Sequence, residues 1–381
     1  MRAFLPVALL LSACAVEEAP PAAGPFQELV DQGATRFLGT TTAIEESVDG
    51  DETTWTFAQS EGPQCLRGTP YRTTTRDTGS EDLVIFLQGG GACWSDFCFS
   101  IETAPPGMPP LDLIRTDLPF NPVDGWNVTY LPYCDGSLFA GDAQVDEDGD
   151  GQVDRIHAGL QNLSAALDVA KAQWPDPRRI VLAGSSGGGF GTIPGVVLVR
   201  ELWPDHEILV MNDSGVGVAK QGQPWFLNQL FDEFNAGSLV PDSCTDCLDD
   251  GHLTPVIDWE LEQDPKLRVA AFSSYEDYII SELFLQLPDG EFRASLMGQT
   301  NLLQAHHPDR YRRFLVEGDL HTVLIGNVAG VVGDLEGAND SIENFVTLGH
   351  MEEVSLDGVT VADWLSAFVD GDAEGWESKV E

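Results

Sequence analysis

The stretch Arg179-Ile-Val-Leu-Ala-Gly-Ser-Ser-Gly-Gly-Gly-Phe-Gly191 constrains the fold of this chain more than any other. Branched aliphatics at Ile180, Val181 and Leu182 run straight into glycines, and a helix-like pattern continues through residues 195–203. A buried strand can pass directly into a helix only where the turn tolerates strained backbone angles and close chain passage, which is what glycine permits. The run from Gly184 to Gly188 fits G-x-S-x-G, a turn that lifts a serine hydroxyl above a sheet edge. Ser186 is the serine so exposed, Ser185 is scaffolding, and the next backbone N–H, that of Gly187, points at the same place. A plain glycine-rich turn is the bland reading; the strand before and the helix after favour the elbow.

The rest of the chain supplies the sheet that such a turn needs. Apolar runs at residues 82–88, 126–133, 207–211, 267–272 and 313–316 read as strands, the first ending in Gly89-Gly90-Gly91. Leu160, Leu163, Leu167, Ala170 and Trp174 mark one face of a helix. Thr360-Val-Ala-Asp363 reads as a capping box that opens a helix with Val361, Leu365 and Phe368 on one side. Residues 26–37 suggest a short amphipathic helix, and residues 53–75 a hairpin turning at Gly68-Thr-Pro70. Strands alternating with helices predict an α/β fold of the α/β-hydrolase type, a mostly parallel sheet with helices on both faces. The expected organisation is a signal peptide over 1–13, a lipidated tether over 14–25 and one domain over 26–381. Within that domain lie an acidic loop at 146–154 and an irregular, Cys-bearing insertion at 221–255 that reads as a lid.

The chain carries 62 acidic against 19 basic residues, a formal net charge of −43. A surface of that sign repels anions, which excludes nucleic acid as a partner and disfavours acidic polysaccharides. Met1-Arg2, an apolar core at 4–11 and Leu11-Ser12-Ala13-Cys14 resemble a bacterial lipobox, so export and lipidation at Cys14 are expected. The lipid is then the sole membrane contact, and Ala15 after the cysteine resembles outer-membrane or cell-surface sorting. Cys65, Cys93, Cys98, Cys134, Cys244 and Cys247 remain, an even set suited to disulfides in an exported protein. Close spacing favours Cys93–Cys98 and Cys244–Cys247, which leaves Cys65–Cys134. Cys244-Thr-Asp-Cys247 has no second C-x-x-C or His cluster to make it a zinc site.

A serine hydroxyl is a poor nucleophile until a base takes its proton, and the base needs an acid to orient it. On this fold the chain order is Ser, then Asp or Glu, then His. His321 follows a strand and a glycine loop, where the base belongs; His350, in a Gly-His turn, is second choice. Asp277 after the preceding strand is the chosen acid, with Glu276 in reserve and Asp213 a third candidate. Oxyanion donors should come from Gly187 and from the loop Gly89-Gly90-Gly91.

Four blocks resemble the pectin acetylesterase family, which also includes the Notum-type carboxylesterases. They are Cys65-Leu-Arg-Gly-Thr-Pro70, Gly89-Gly-Gly-Ala-Cys93, Tyr133-Cys-Asp-Gly-Ser137 and Gly184-Ser-Ser-Gly-Gly-Gly189. The resemblance implies Ser186 as nucleophile and the N–H groups of Gly90, Gly91 and Gly187 as oxyanion donors. Three positions depart from the family pattern. Tyr275-Glu276-Asp277 stands for Tyr-Asp-Ser, His321 lacks a neighbouring Cys, and Ala92 replaces an aromatic beside the acyl group. The expected activity is hydrolysis of an O-acyl ester, acetyl first, on a glycan such as an acetylated polysaccharide. A longer acyl group, as in Notum-type members, is the alternative, and a non-catalytic surface binding protein on a hydrolase scaffold is the rival class.

Asp146, Asp148, Asp150, Gln152 and Asp154 place oxygen donors at alternating positions, with glycine at the sixth, like a calcium loop. Position twelve is His157 rather than a bidentate Glu. A calcium ion here would be structural, because the proposed ester chemistry requires no cofactor.

Overall fold

The computed structural model describes residues 23–326 and 347–381. The expected signal peptide, Cys14 and the tether up to residue 22 lie outside the described residues. Helix α1 (Gln27–Asp31) is shorter than the helix predicted over 26–37, because Gly33 takes a positive φ and turns follow. Three antiparallel strands come next, β1 (Ala43–Asp49), β2 (Glu52–Phe57) and β3 (Arg72–Arg76). The predicted hairpin is the β2–β3 pair, with Glu52 opposite Arg76 and Thr56 opposite Arg72.

In chain order there follow β4 (Asp82–Leu87), the hairpin of β5 (Gly91–Trp94) and β6 (Phe97–Ser100), β7 (Asn127–Leu131), and the hairpin of β8 (Ala143–Val145) and β9 (Arg155–His157). Then come α2 (Gly159–Gln173), β10 (Arg179–Ser185), α3 (Gly187–Leu202), β11 (Ile208–Asp213), α4 (Pro224–Phe234), α5 (Thr254–Gln263) and β12 (Leu267–Ser274). The chain continues through α6 (Glu291–His306), β13 (Tyr311–Val316), the short pair β14 (Ser355–Leu356) and β15 (Val359–Thr360), α7 (Val361–Asp370) and β16 (Lys379–Val380).

The main sheet has ten strands in the order β1-β2-β3-β7-β4-β10-β11-β12-β13-β16. Every pair from β7 to β16 is parallel. Strands β4, β7 and β10 to β13 of this parallel part read as apolar runs because both faces are covered, whereas the edge strand β1 is largely exposed. Leu83, Ile85 and Leu87 enter one core with Leu163 and Leu167 of α2 and Val196 and Val199 of α3. Val84 and Phe86, one residue out of phase, enter the other with Val361, Leu365 and Phe368 of α7. The capping box on α7 forms as its sequence suggests, Thr360 and Asp363 each accepting from the other's backbone amide.

After β4 the chain moves to β7 on one side; after β10 it moves to β11 on the other. The crevice between the carboxyl ends of β4 and β10 is thus the topological switch point, where open α/β sheets place their ligands. The glycine loop and the Ser186 turn both leave the sheet there, with Leu87 paired to Gly184. The 221–255 stretch is less irregular than expected. It holds α4, started by Pro224 and ended by Asn235 in a left-handed conformation, and the Cys244–Cys247 bond follows. Cys65–Cys134 and Cys93–Cys98 are the other two bonds.

Candidate active site

Ser186 sits between β10 and α3 with φ 56° and ψ −121°, a left-handed conformation that a serine adopts only where its surroundings enforce it. The enforcement is visible in the glycines around it. A Cβ on Gly188 would lie 2.0 Å from the Leu87 carbonyl oxygen, so any other residue would push the helix off the sheet. The Ser186 amide donates to the Asp213 carbonyl at 2.8 Å, and the Phe190 amide donates to the Ser186 carbonyl at 3.1 Å. The side chain is 8% exposed at the floor of a cavity.

The loop after β4 meets this turn from the other side of the switch point. A Cβ on Gly187 would fall 3.1 Å from the Gly91 carbonyl oxygen, so the two glycine segments lie in contact. Gly91 has φ +93°, and a Cβ there would fall 2.0 Å from the Phe99 carbonyl oxygen, so the β5–β6 hairpin can close only over glycine. The Cys-Asp-Gly-Ser block braces that hairpin, since the Cys93 amide donates to the Gly136 carbonyl at 2.8 Å. Tyr133 belongs to the same brace, its hydroxyl accepting from the Leu138 amide at 3.0 Å.

His321 and Asp277 meet in the interior. His321 Nδ1 lies 2.9 Å from both carboxylate oxygens of Asp277, and the two residues are 4% and 0% exposed. Asp277 leaves the end of β12, and the Ile280 amide donates to it at 3.1 Å. Glu276 turns the other way, pairing with Arg293 at 3.1 Å and accepting from the Gly318 amide at 3.0 Å. His350 pairs with Asp112 at 2.7 Å, not with any of the residues named for the site. A carboxylate against Nδ1 fixes the imidazole tautomer and leaves Nε2 as the proton acceptor.

Asp213 does not take the orienting acid's place beside the imidazole. Its carboxylate accepts from the Ser185 hydroxyl at 2.7 Å and from the Leu324 amide at 2.9 Å. Burial pushes its pKa up to about 6, and hydrogen bonds from Leu324, Ser185 and Val323 oppose that rise.

The cavity over Ser186 is open to solvent on one side and walled by apolar side chains, among them Ala92, Trp94, Phe226, Leu230 and Phe284. A second apolar cavity shares Leu138, Phe190, Leu227, Leu230 and Leu253 with it and reaches Phe234 at the end of α4. This wall was not anticipated from the sequence. The signal was present in α4, where Phe226, Leu227, Leu230, Phe231 and Phe234 recur at helical spacing inside the stretch taken as irregular.

The acidic loop links β8 to β9. Carboxylate oxygens of Asp146, Asp148 and Asp154 lie within 4.8 Å of one another. Asp150 instead receives the Gln152 side-chain amide at 2.8 Å. An all-oxygen donor set of this kind suits a hard cation such as calcium.

A strained serine at the switch point of a mostly parallel sheet, beside a glycine loop and with a buried His–Asp pair on later strands, defines the class as an α/β fold of hydrolase type. The pectinacetylesterase family model matches residues 120–247, which include Ser186 and Gly187. Curated relatives agree with it. The palmitoleoyl-protein carboxylesterase notum1′ of Xenopus laevis is 27% identical over 187 residues, covering 43% of this chain and 35% of the relative. Palmitoleoyl-protein carboxylesterase notum1a of Danio rerio is 28% identical over 217 residues, covering 52% of this chain and 39% of the relative. The chain therefore spans well under half the length of these relatives. Together the matches support a likeness to the pectin acetylesterases and Notum-type carboxylesterases.

Proposed function

We propose that this protein is a serine carboxylesterase whose nucleophile is Ser186. His321 takes the serine proton as the hydroxyl attacks the ester carbonyl, and Asp277 holds the imidazole and balances its charge. The N–H groups of Gly90, Gly91 and Gly187 receive the oxyanion, each worth about 3 kcal/mol of transition-state stabilisation. The alcohol leaves with the proton from His321; water then repeats the sequence on the acyl-enzyme and frees the carboxylic acid. The observation that carries this reading is the strained Ser186 at the switch point, with the His321–Asp277 pair on the same carboxyl edge of the sheet.

For the acyl group, the cavity favours an apolar chain over acetyl. Its lining runs from Ser186 to Phe226 and Phe284, farther than an acetyl methyl group needs, and the side chains offer contact rather than hydrogen bonds. Ala92 contributes by leaving open the space that an aromatic would fill. For the alcohol, the net charge of −43 favours a neutral or cationic carrier, such as a neutral glycan, over a de-esterified polysaccharide. Export with lipidation at Cys14, and calcium in the 146–154 loop, belong to the same proposal. Three disulfides support an oxidising compartment.

Hydrolysis of nitrophenyl esters from acetate to palmitate by wild type and Ser186→Ala tests the reading. The expected result is kcat/KM that rises with chain length and falls by at least about 1,000-fold in Ser186→Ala. A preference for acetate would return the acyl assignment to an acetylesterase. Activity retained in Ser186→Ala would remove the nucleophile.

A further inference from the structure

One dipeptide at the end of β11 touches both halves of the proposed site. The Asp213 carbonyl accepts from the Ser186 amide at 2.8 Å. Its carboxylate accepts from the Ser185 hydroxyl at 2.7 Å on the elbow side. On the histidine side the same carboxylate accepts from the Val323 amide at 3.1 Å and the Leu324 amide at 2.9 Å, just after His321. Ser214, the next residue, has φ 60° and donates its hydroxyl to the His321 carbonyl. Its amide donates to the Phe272 carbonyl at 2.9 Å, which anchors the dipeptide to β12.

We propose that Asp213 and Ser214 are positioning residues that hold the His321 loop in register with the Ser186 elbow. The inference rests on the Ser186–His321 reading above and goes beyond it. Neither residue is the orienting acid, because Asp277 already occupies Nδ1 of His321. A carboxylate suits the task because its Oδ2 accepts from the Ser185 hydroxyl and from both amides, while Oδ1 lies 3.2 Å from the Val323 amide. An asparagine can keep its single acceptor oxygen at the Oδ2 position, but its NH2 then meets the Val323 amide donor against donor at the Oδ1 position. The placement costs stability, since Asp213 is 1% exposed and its donors are a hydroxyl and two amides rather than a cation. Truncating it to alanine leaves those three donors unpaired, so the melting curve is read beside the rate.

The test compares Asp213→Asn, Asp213→Ala and Ser214→Ala with Ser186→Ala and His321→Ala in the full chain. Three quantities are read: kcat and KM on the best nitrophenyl ester, the rate of covalent labelling by a fluorophosphonate, and the melting curve. The expected result for Asp213→Asn and Ser214→Ala is a kcat lowered about 10- to 100-fold with KM nearly unchanged, because small misplacements of reacting groups act on the rate. Labelling should slow in the same proportion, although the protein melts in one transition. If Asp213→Ala fails to fold, Ser214→Ala still decides, since it removes one hydroxyl. Wild-type kcat and labelling in folded Asp213→Asn and Ser214→Ala would overturn the inference while leaving the esterase reading intact. Activity surviving in Ser186→Ala or His321→Ala would instead overturn the reading on which it rests.

Discussion

Asp135 is a buried carboxyl whose protonation is coupled to folding. It belongs to the Cys-Asp-Gly-Ser block, is fully buried and receives the Ser137 hydroxyl. Burial pushes its pKa up from 3.8 to about 6, and the hydrogen bonds from Ser137 and nearby amides oppose that rise. The sign follows from linkage. The folded state holds the proton more tightly than the unfolded chain, so the contribution is complete below about pH 4 and is lost as pH rises through about 6. A shift of this size is worth on the order of 3 kcal/mol. Asp135→Asn should flatten part of the fall in melting temperature between about pH 4 and about pH 7. Melting curves of the two proteins at both pH values check this, and an equal fall in each would refute it. At this scale the sequence was informative about Ser186, because the glycines around it have few other uses. It was less informative about the acid. Asp277 and Glu276 are adjacent in the chain, and only the turn after β12 sends one inward to His321 and the other outward to Arg293.

Elements differ in how much of their shape is local. Strands β4, β7 and β10 to β13 and helices α2, α3 and α7 follow from apolar periodicity and caps, so their positions agree with the sequence reading within a few residues, whereas the short hairpins β5–β6 and β8–β9 and the strands β14 to β16 carry no such local pattern. Helix α4 did not, because the glycines, prolines and cysteines around it outweigh its eleven residues in any local reading. Its role as the cavity wall depends on where it packs, and no local pattern contains that. The β8–β9 loop lies between these cases. Its alternating oxygens are a sequence property, and the approach of Asp154 to Asp146 is set by the hairpin. If the loop takes calcium, the ion at about a hundred times its dissociation constant adds about 2.7 kcal/mol to stability. The melting temperature should then rise by several degrees on adding calcium to chelated protein, and Asp146→Asn should abolish the response. No response in the wild type would leave the loop as a solvated acidic turn.

At the scale of the molecule the net charge of −43 dominates. Repulsion among exposed carboxylates opposes the compact state and is long-ranged at low ionic strength. Raising monovalent salt from about 0.01 M to about 0.15 M shortens the screening length from about 30 Å to about 8 Å. The melting temperature should rise over that range and flatten above it; a flat response throughout would mean that paired charges already cancel the field. The same charge acts on substrates. Hydrolysis of an anionic ester should quicken with salt, in contrast to a neutral one of equal chain length.

The sequence by itself determined the sheet, the position of the strained serine and the order in which base and acid must follow, because glycine and apolar spacing act through local backbone geometry. Tertiary structure decided what no local rule contains. It joined Leu87 to Gly184 so that two glycine loops face one another, and turned Asp277 rather than Glu276 toward His321. It also laid α4 across the serine to make an apolar cavity and set Asp213 between elbow and histidine loop. Each of these depends on contacts between residues tens to hundreds of positions apart, whose approach is fixed by packing of the whole sheet and not by any stretch of chain alone.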